Sequence, residues 1–272
     1  MTPNTAHAAI ESAAATIVTA HVTALGPLVQ IADRSVAHPP TIDRALTAVL
    51  HLNSAGPQLD HAVNGLLREL VAAGVSRAKL CRLLALRTSA LTARLTATAP
   101  TAVTVPDIQP GSYGLRDKVS QRAARESLIT TADAVRAAYL DALRPMATVS
   151  QGTVVEAATV DAAVEAVVGL RVARRSMETA VDQVLAALVL GGVKRMALAG
   201  LLGCSPATLQ RRLTLQPLAH ARWVDLVDDG DGVWTVQRVD VGKYSPAPEA
   251  ADFDESHFDI EAAMNAAAGY AR

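Results

Sequence analysis

Slid along itself by 118 residues, the sequence meets its own pattern, and no other feature constrains the fold as much. Leu59 to Thr96 lies over Met177 to Thr214 with 15 identities in 38 positions. A chain rich in Ala and Leu matches itself by chance at those residues. The weight therefore rests on pairs such as Gly74 with Gly192, Arg77 with Arg195 and Arg94 with Arg212. The register runs upstream without a gap through Asp43 with Asp161, Val49 with Val167 and Leu52 with Leu170, and TALGPL at 23–28 falls over DALRPM at 141–146. Self-similarity held over such a length predicts two copies of one structural unit, the product of an internal duplication.

At 272 residues the chain is long enough for two domains, each burying a core. Half of it is hydrophobic but only 3% is aromatic, which suits close-packed Ala- and Leu-rich helices better than a sandwich or barrel. The apolar residues recur at helical spacing, as in Val63, Leu66, Leu67, Leu70 and Val71. Each copy reads as a long first helix (6–34 and 119–145), a second (41–54 and 153–174), a third (58–73 and 177–191) and two short closing helices. Pro100, Pro106, Pro110, Gly111 and Gly114 mark the linker between the copies.

The short helices end the second copy in GGVKRMALAGLLGCSPATLQRRL. Ala199 supplies a small residue where two helices cross, Gly203 a turn that permits positive φ, and Ser205 followed by Pro206 an N-cap and first helical position. Leu209 and Leu213 point to Leu198, Leu201 and Leu202. This stretch resembles a helix-turn-helix of the three-helix kind found in many bacterial repressors and in sigma-factor or recombinase DNA-binding domains. The first copy, AGVSRAKLCRLLALRTSALTARL, keeps the frame with Cys81 in the small slot, Ala85 at the turn and Ser76 as the cap of its first short helix. The resemblance covers about 23 residues per copy and implies a sequence-specific double-stranded DNA binder, a transcriptional regulator whose tandem units act as a covalent pseudo-dimer. It places the outward recognition face at Ser205, Ala207, Gln210, Arg211 and Thr214 in the second copy, and at Arg87, Ser89, Thr92 and Ala93 in the first. Arg pairs bidentately with guanine and Gln with adenine in the major groove. The matched Arg94 and Arg212 are candidates for phosphate contact or for a salt bridge. Because the faces differ, the expected site is asymmetric.

The fold class that follows is mainly α, with two repeated helical domains, a C-terminal β-hairpin and an acidic tail. The expected domains are 1–99 with its helix-turn-helix at 76–96, a linker at 100–118, and 119–218 with its helix-turn-helix at 194–214. A hairpin at 219–244, around DDGDG, and a tail at 245–272 complete the chain. Net charge is −1, but 219–272 holds 11 acidic and 4 basic residues, which leaves 21 basic and 15 acidic before it. A tail of this kind is solvated, docks a protein partner, or folds over a basic face and weakens nonspecific binding.

No phosphate-binding glycine loop, dinucleotide fingerprint, nucleophile elbow or zinc-ligand spacing stands in the sequence, so it points to no enzyme, cofactor or metal. Cys81 and Cys204 do not make a disulfide framework. The N-terminus lacks a basic region ahead of an apolar core, and a cytosolic chain with no membrane partner is expected. Two alternatives compete with the regulator: a plasmid or phage accessory protein of partition, replication or recombination, and a helical scaffold or adaptor without DNA binding.

Overall fold

A computed structural model of the protein describes residues 3–33, 40–101, 103–113, 118–155, 158–228 and 234–238. It is mainly helical, with eight α-helices among the described residues: α1 (Pro3–Ala32), α2 (Ile42–Ala72), α3 (Arg77–Leu83), α4 (Thr88–Thr96), α5 (Lys118–Ser150), α6 (Thr159–Leu190), α7 (Arg195–Leu201) and α8 (Pro206–Leu213). Adding 118 to the bounds of α3 gives those of α7, and the ends of α1 and α2 fall on those of α5 and α6. Pro27 and Pro145, matched in the repeat, both lie inside their helices.

Two expected breaks are absent. The second and third helices of each copy are one helix, α2 running through Pro57 and α6 through the Arg174–Met177 region. A proline inside a helix removes one N–H and costs about 3 kcal/mol, yet the buried stripe continues across it from Ile42, Leu46, Val49 and Leu50 to Leu66, Leu67 and Leu70. Each such side chain contributes about 1.5–3 kcal/mol on burial, so burial outweighs the proline. In α6 the crossing point is bridged by Arg174, whose Nε donates to Glu178 Oε1 at 2.8 Å one turn on. The helix expected from 153 begins only at Thr159, and the one expected to end at 145 runs on to Ser150.

The compact units do not follow the copies. One unit comprises 1–26, 51–105 and 136–178; the other comprises 27–50, 106–135 and 179–272. Each of the four long helices gives one part to one unit and the remainder to the other. The core of the first unit joins Ile10, Ala14 and Ile17 of α1, Leu66 and Leu70 of α2, Leu80 and Leu91 of the short helices, Met146 of α5 and Val164 and Met177 of α6. Each copy thus completes its core with a piece of the other copy, an exchange that repeat periodicity cannot reveal.

In the second unit Leu28, Ile42, Leu46, Leu128, Val184, Leu188, Leu198, Leu209 and Leu213 are buried. A Cβ on Gly191 would run into the Ile42 side chain there. Asp43 holds the linker by accepting from the Gly111 and Tyr113 backbone N–H groups at 2.7 and 3.2 Å.

Although no membrane partner is expected from the sequence, Thr5–Ala32 of α1 is long and apolar enough to cross a membrane by length and composition. A third of its apolar window is buried in the protein, and Ile10, Ala14, Ile17 and Leu28 on it are core residues. After α8 come a 3₁₀ turn (Pro217–Trp223) and two five-residue extended segments, Val224–Asp228 and Trp234–Arg238. The acidic turn at 229–233 and the tail at 245–272 lie outside the described residues.

Candidate nucleic-acid interface

Each copy ends in the same backbone construction. The long helix stops at Gly74 (φ 97°) or Gly192 (φ 107°), where Val75 N–H donates back to Leu70 O and Val193 N–H to Leu188 O, each at 3.0 Å. This six-to-one bond, with Gly74 N–H to Val71 O and Gly192 N–H to Val189 O, is the glycine-terminated helix end that satisfies the last carbonyls. A second instance joins the two short helices. Leu86 N–H donates to Cys81 O at 2.9 Å in the first copy, and Cys204 N–H to Ala199 O at 3.0 Å in the second. The turn residue between is Gly203 (φ 65°) in one copy and Ala85 (φ 46°) in the other. Ala85 is the only non-glycine at positive φ among the described residues. A left-handed residue other than glycine costs about 1–2 kcal/mol.

Both expected caps form. Ser76 Oγ accepts from Lys79 N–H at 3.2 Å, opening α3, and Ser205 Oγ accepts from Thr208 N–H at 3.1 Å, opening α8 with Pro206 at its start. Leu91 in α4 and Leu209 and Leu213 in α8 are wholly buried, which fixes the opposite face of each helix outward. Ala199 is buried in the small slot, as its position requires, whereas Cys81 is half-buried.

The candidate recognition residues divide into three groups. Arg87, Ser89, Thr92 and Ala93 of the first copy are exposed, as are Ser205, Ala207, Gln210, Arg211 and Thr214 of the second. Among them the side chains of Arg87, at the N-cap position of α4 without a cap bond, and of Arg211 have no ion-pair or hydrogen-bond partner among the described residues. Thr92 and Thr214 turn their hydroxyls back onto Thr88 O and Gln210 O. A third group is engaged within the protein. Gln210 Oε1 accepts from Arg195 at 2.9 Å, and the same guanidinium donates to Ala219 O at 2.7 Å. His220 Nδ1 lies 3.3 Å from it and His220 Nε2 lies 3.1 Å from Leu213 O. Arg212 pairs with Asp182 at 2.6–2.7 Å, the salt-bridge member of its two readings. Arg94, at the equivalent place, is half-buried and has no partner among the described residues.

Arg195, Asp182 and His220, the partners of α8, carry no motif in the sequence that marks them as such. The matched Arg77 and Arg195 were a signal, but their surroundings differ because Gln210 in one copy is Thr92 in the other. The two helix pairs are free of acid: residues 76–96 hold five Arg or Lys, residues 194–214 hold four, and neither holds Asp or Glu. Among the described residues Lys79 of the first pair meets Asp161, at 3.3 Å.

One further constellation has the order of a nucleophile, a base and an acid. Thr159 Oγ1 lies 2.6 Å from His7 Nδ1, and His7 Nε2 lies 2.9 Å from Glu11 Oε1. Thr159 is only 1% exposed, so no substrate reaches its hydroxyl in this conformation, and the chain ties the start of α6 to α1. Among the described residues no group of three His, Cys, Asp or Glu stands close enough to hold a metal. No protein-family model, curated protein or solved structure matches the chain.

Proposed function

We propose that the chain binds double-stranded DNA through two unlike helix-turn-helix units, as a transcriptional regulator whose two copies act as a covalent pseudo-dimer on an asymmetric site. The observation that carries this reading is the pair of acid-free short-helix modules. Each turns on a left-handed residue at the same place and exposes one face of its second helix. Such a face, with Arg87 in one copy and Arg211 in the other unengaged, meets the needs of a negatively charged groove. A C-terminal hairpin belongs to the same reading, and it would join the two extended segments after α8, in which Val224 stands opposite Arg238.

The rival from another class is a helical scaffold whose modules serve packing, and the inward bonds of Gln210 and Arg212 favour it. Binding to a random-sequence duplex of about three helical turns, measured from about 50 to about 200 mM salt, separates the two. A DNA binder loses affinity along a straight line of log K against log salt, with a slope set by the phosphates it neutralises. A scaffold gives no binding at the lowest salt.

A further inference from the structure

Two arginine pairs are matched across the repeat, Arg77 with Arg195 and Arg94 with Arg212. Only the members in the second copy are tied down. Arg195 is held by Gln210 and the Ala219 carbonyl, and Arg212 by Asp182. In the first copy Thr92 replaces Gln210, and its hydroxyl is spent on Thr88 O. Asn64 replaces Asp182. Asn64 is buried at 7% exposure, and its Oδ1 has no hydrogen-bond partner. Neither the Arg77 nor the Arg94 guanidinium has a partner among the described residues.

We infer that the two modules have divided the work of binding DNA. The first is an electrostatic anchor whose free guanidiniums take phosphates. The second is a reading head whose repeat-matched arginines hold Gln210 and the recognition helix in place, leaving Arg211 to meet bases. The inference rests on the DNA-binding reading and goes beyond it by assigning unequal roles. The physical reason lies in the difference between an amide and a carboxylate. Asp182 neutralises Arg212 and fixes its direction through a charge-assisted bond, whereas neutral Asn64 leaves the charge on Arg94 available to a phosphate. Phosphate contacts position a protein on DNA and base contacts specify the site, so the first module sets salt dependence and the second sets sequence preference. This reverses the ranking that turn chemistry alone gives, since the module with the poorer turn residue carries the freer charge.

The test exchanges the two residues in the full-length protein: Asn64→Asp, which supplies Arg94 with the carboxylate that holds Arg212, and Asp182→Asn, which releases Arg212. Each is assayed on a random-sequence duplex over the salt series. Asn64→Asp should lower the slope of log K against log salt by about 0.9 and Asp182→Asn should raise it by about 0.9, one phosphate each. Arg94→Gln should lower the slope as much as Asn64→Asp does, and the double variant should lower it no further. Circular dichroism melts check folding; if Asp182→Asn proves too unstable, Asn64→Asp and Arg94→Gln decide alone. A parent that binds, together with folded Asn64→Asp and Arg94→Gln variants that keep its slope, overturns the division of labour and leaves the DNA reading standing. A parent that binds no duplex at low salt overturns the DNA reading itself.

Discussion

His21 and Tyr139 occupy the same position in the two copies, 118 residues apart, and their rings lie against each other with centroids 6.0 Å apart and planes tilted by 51°. Their acidic neighbours are related in the same way, since Asp60 acts on His21 and Glu178, its repeat equivalent, on Tyr139. The two copies thus meet at equivalent positions of the repeat, within one compact unit.

That pair makes stability depend on pH. Burial pushes the His21 imidazole below its usual value of 6.5, outweighing the hydrogen bond to Ile17 O and the charge of Asp60, which both raise it. The unfolded chain therefore binds this proton at a higher pH than the folded one, so stability falls as pH drops through about 6.5 and is unaffected by this group above that. Urea midpoints at about pH 7.5 and about pH 5.5 should differ more for the parent than for His21→Gln. Equal differences in the two proteins would contradict the assignment.

The turn between α3 and α4 offers a gain. Ala85 at φ 46° bears a left-handed strain that Gly203 does not. Relief of about 1–2 kcal/mol, less the extra freedom glycine adds to the unfolded chain, predicts that Ala85→Gly stabilises by about 0.5–1 kcal/mol. Gly203→Ala should cost about 1–2 kcal/mol by the same strain. Chemical denaturation reads both, and a destabilised Ala85→Gly would show that Ala85 has a packing role absent from this account.

Steric fit diverged between the copies by an exchange of size. Gly191 abuts Ile42 in the second unit, while the equivalent positions in the first are Ala73 and Val160, both packed against its core. Gly191→Ala should cost about 1–3 kcal/mol by overpacking, and Ile42→Val about 0.5–1.5 kcal/mol. The double variant, which copies the first unit, should cost clearly less than the two together. Additive losses would mean that the two positions do not share one space.

The seating of α4 and α8 depends on their buried leucines. Leu91→Ala and Leu209→Ala should each cost about 2–5 kcal/mol through the cavity left in a fully buried site. Thermal melts that barely shift would show that α4 and α8 are not seated as described.

Much of this architecture could be read in the sequence because it is local. The caps at Ser76 and Ser205, the turn at Gly203 with Ala85 opposite it in the repeat, and the leucine faces of α4 and α8 are all set within a few residues of chain. The breaks at Pro57 and near Arg175 were misplaced because local propensity at one proline cannot weigh the core residues buried on either side of it. The exchanged units were invisible for a related reason: the repeat fixes which positions are apolar, and says nothing of which copy supplies the opposing surface. Of the site, Arg87 and Arg211 stand outward as their helical phase required. Arg212 and Gln210 are engaged because Asp182 and Arg195 lie 30 and 15 residues away along the chain, beyond the reach of a pattern read along one helix.

The central claim is that α4 and α8 are presented to DNA, and the affinity of Arg87→Ala and Arg211→Ala for duplex DNA tests it most directly. Both arginines are exposed, so folding and melting should stay close to the parent. On a site selected from random sequence by the parent, Arg211→Ala should lose about 1–3 kcal/mol of affinity and relax preference at one or two base pairs. Arg87→Ala should lower affinity through the first module and leave that preference unchanged. Two folded variants that bind duplex DNA like the parent at every salt concentration would contradict the account, and would make the helix pairs packing modules of a scaffold.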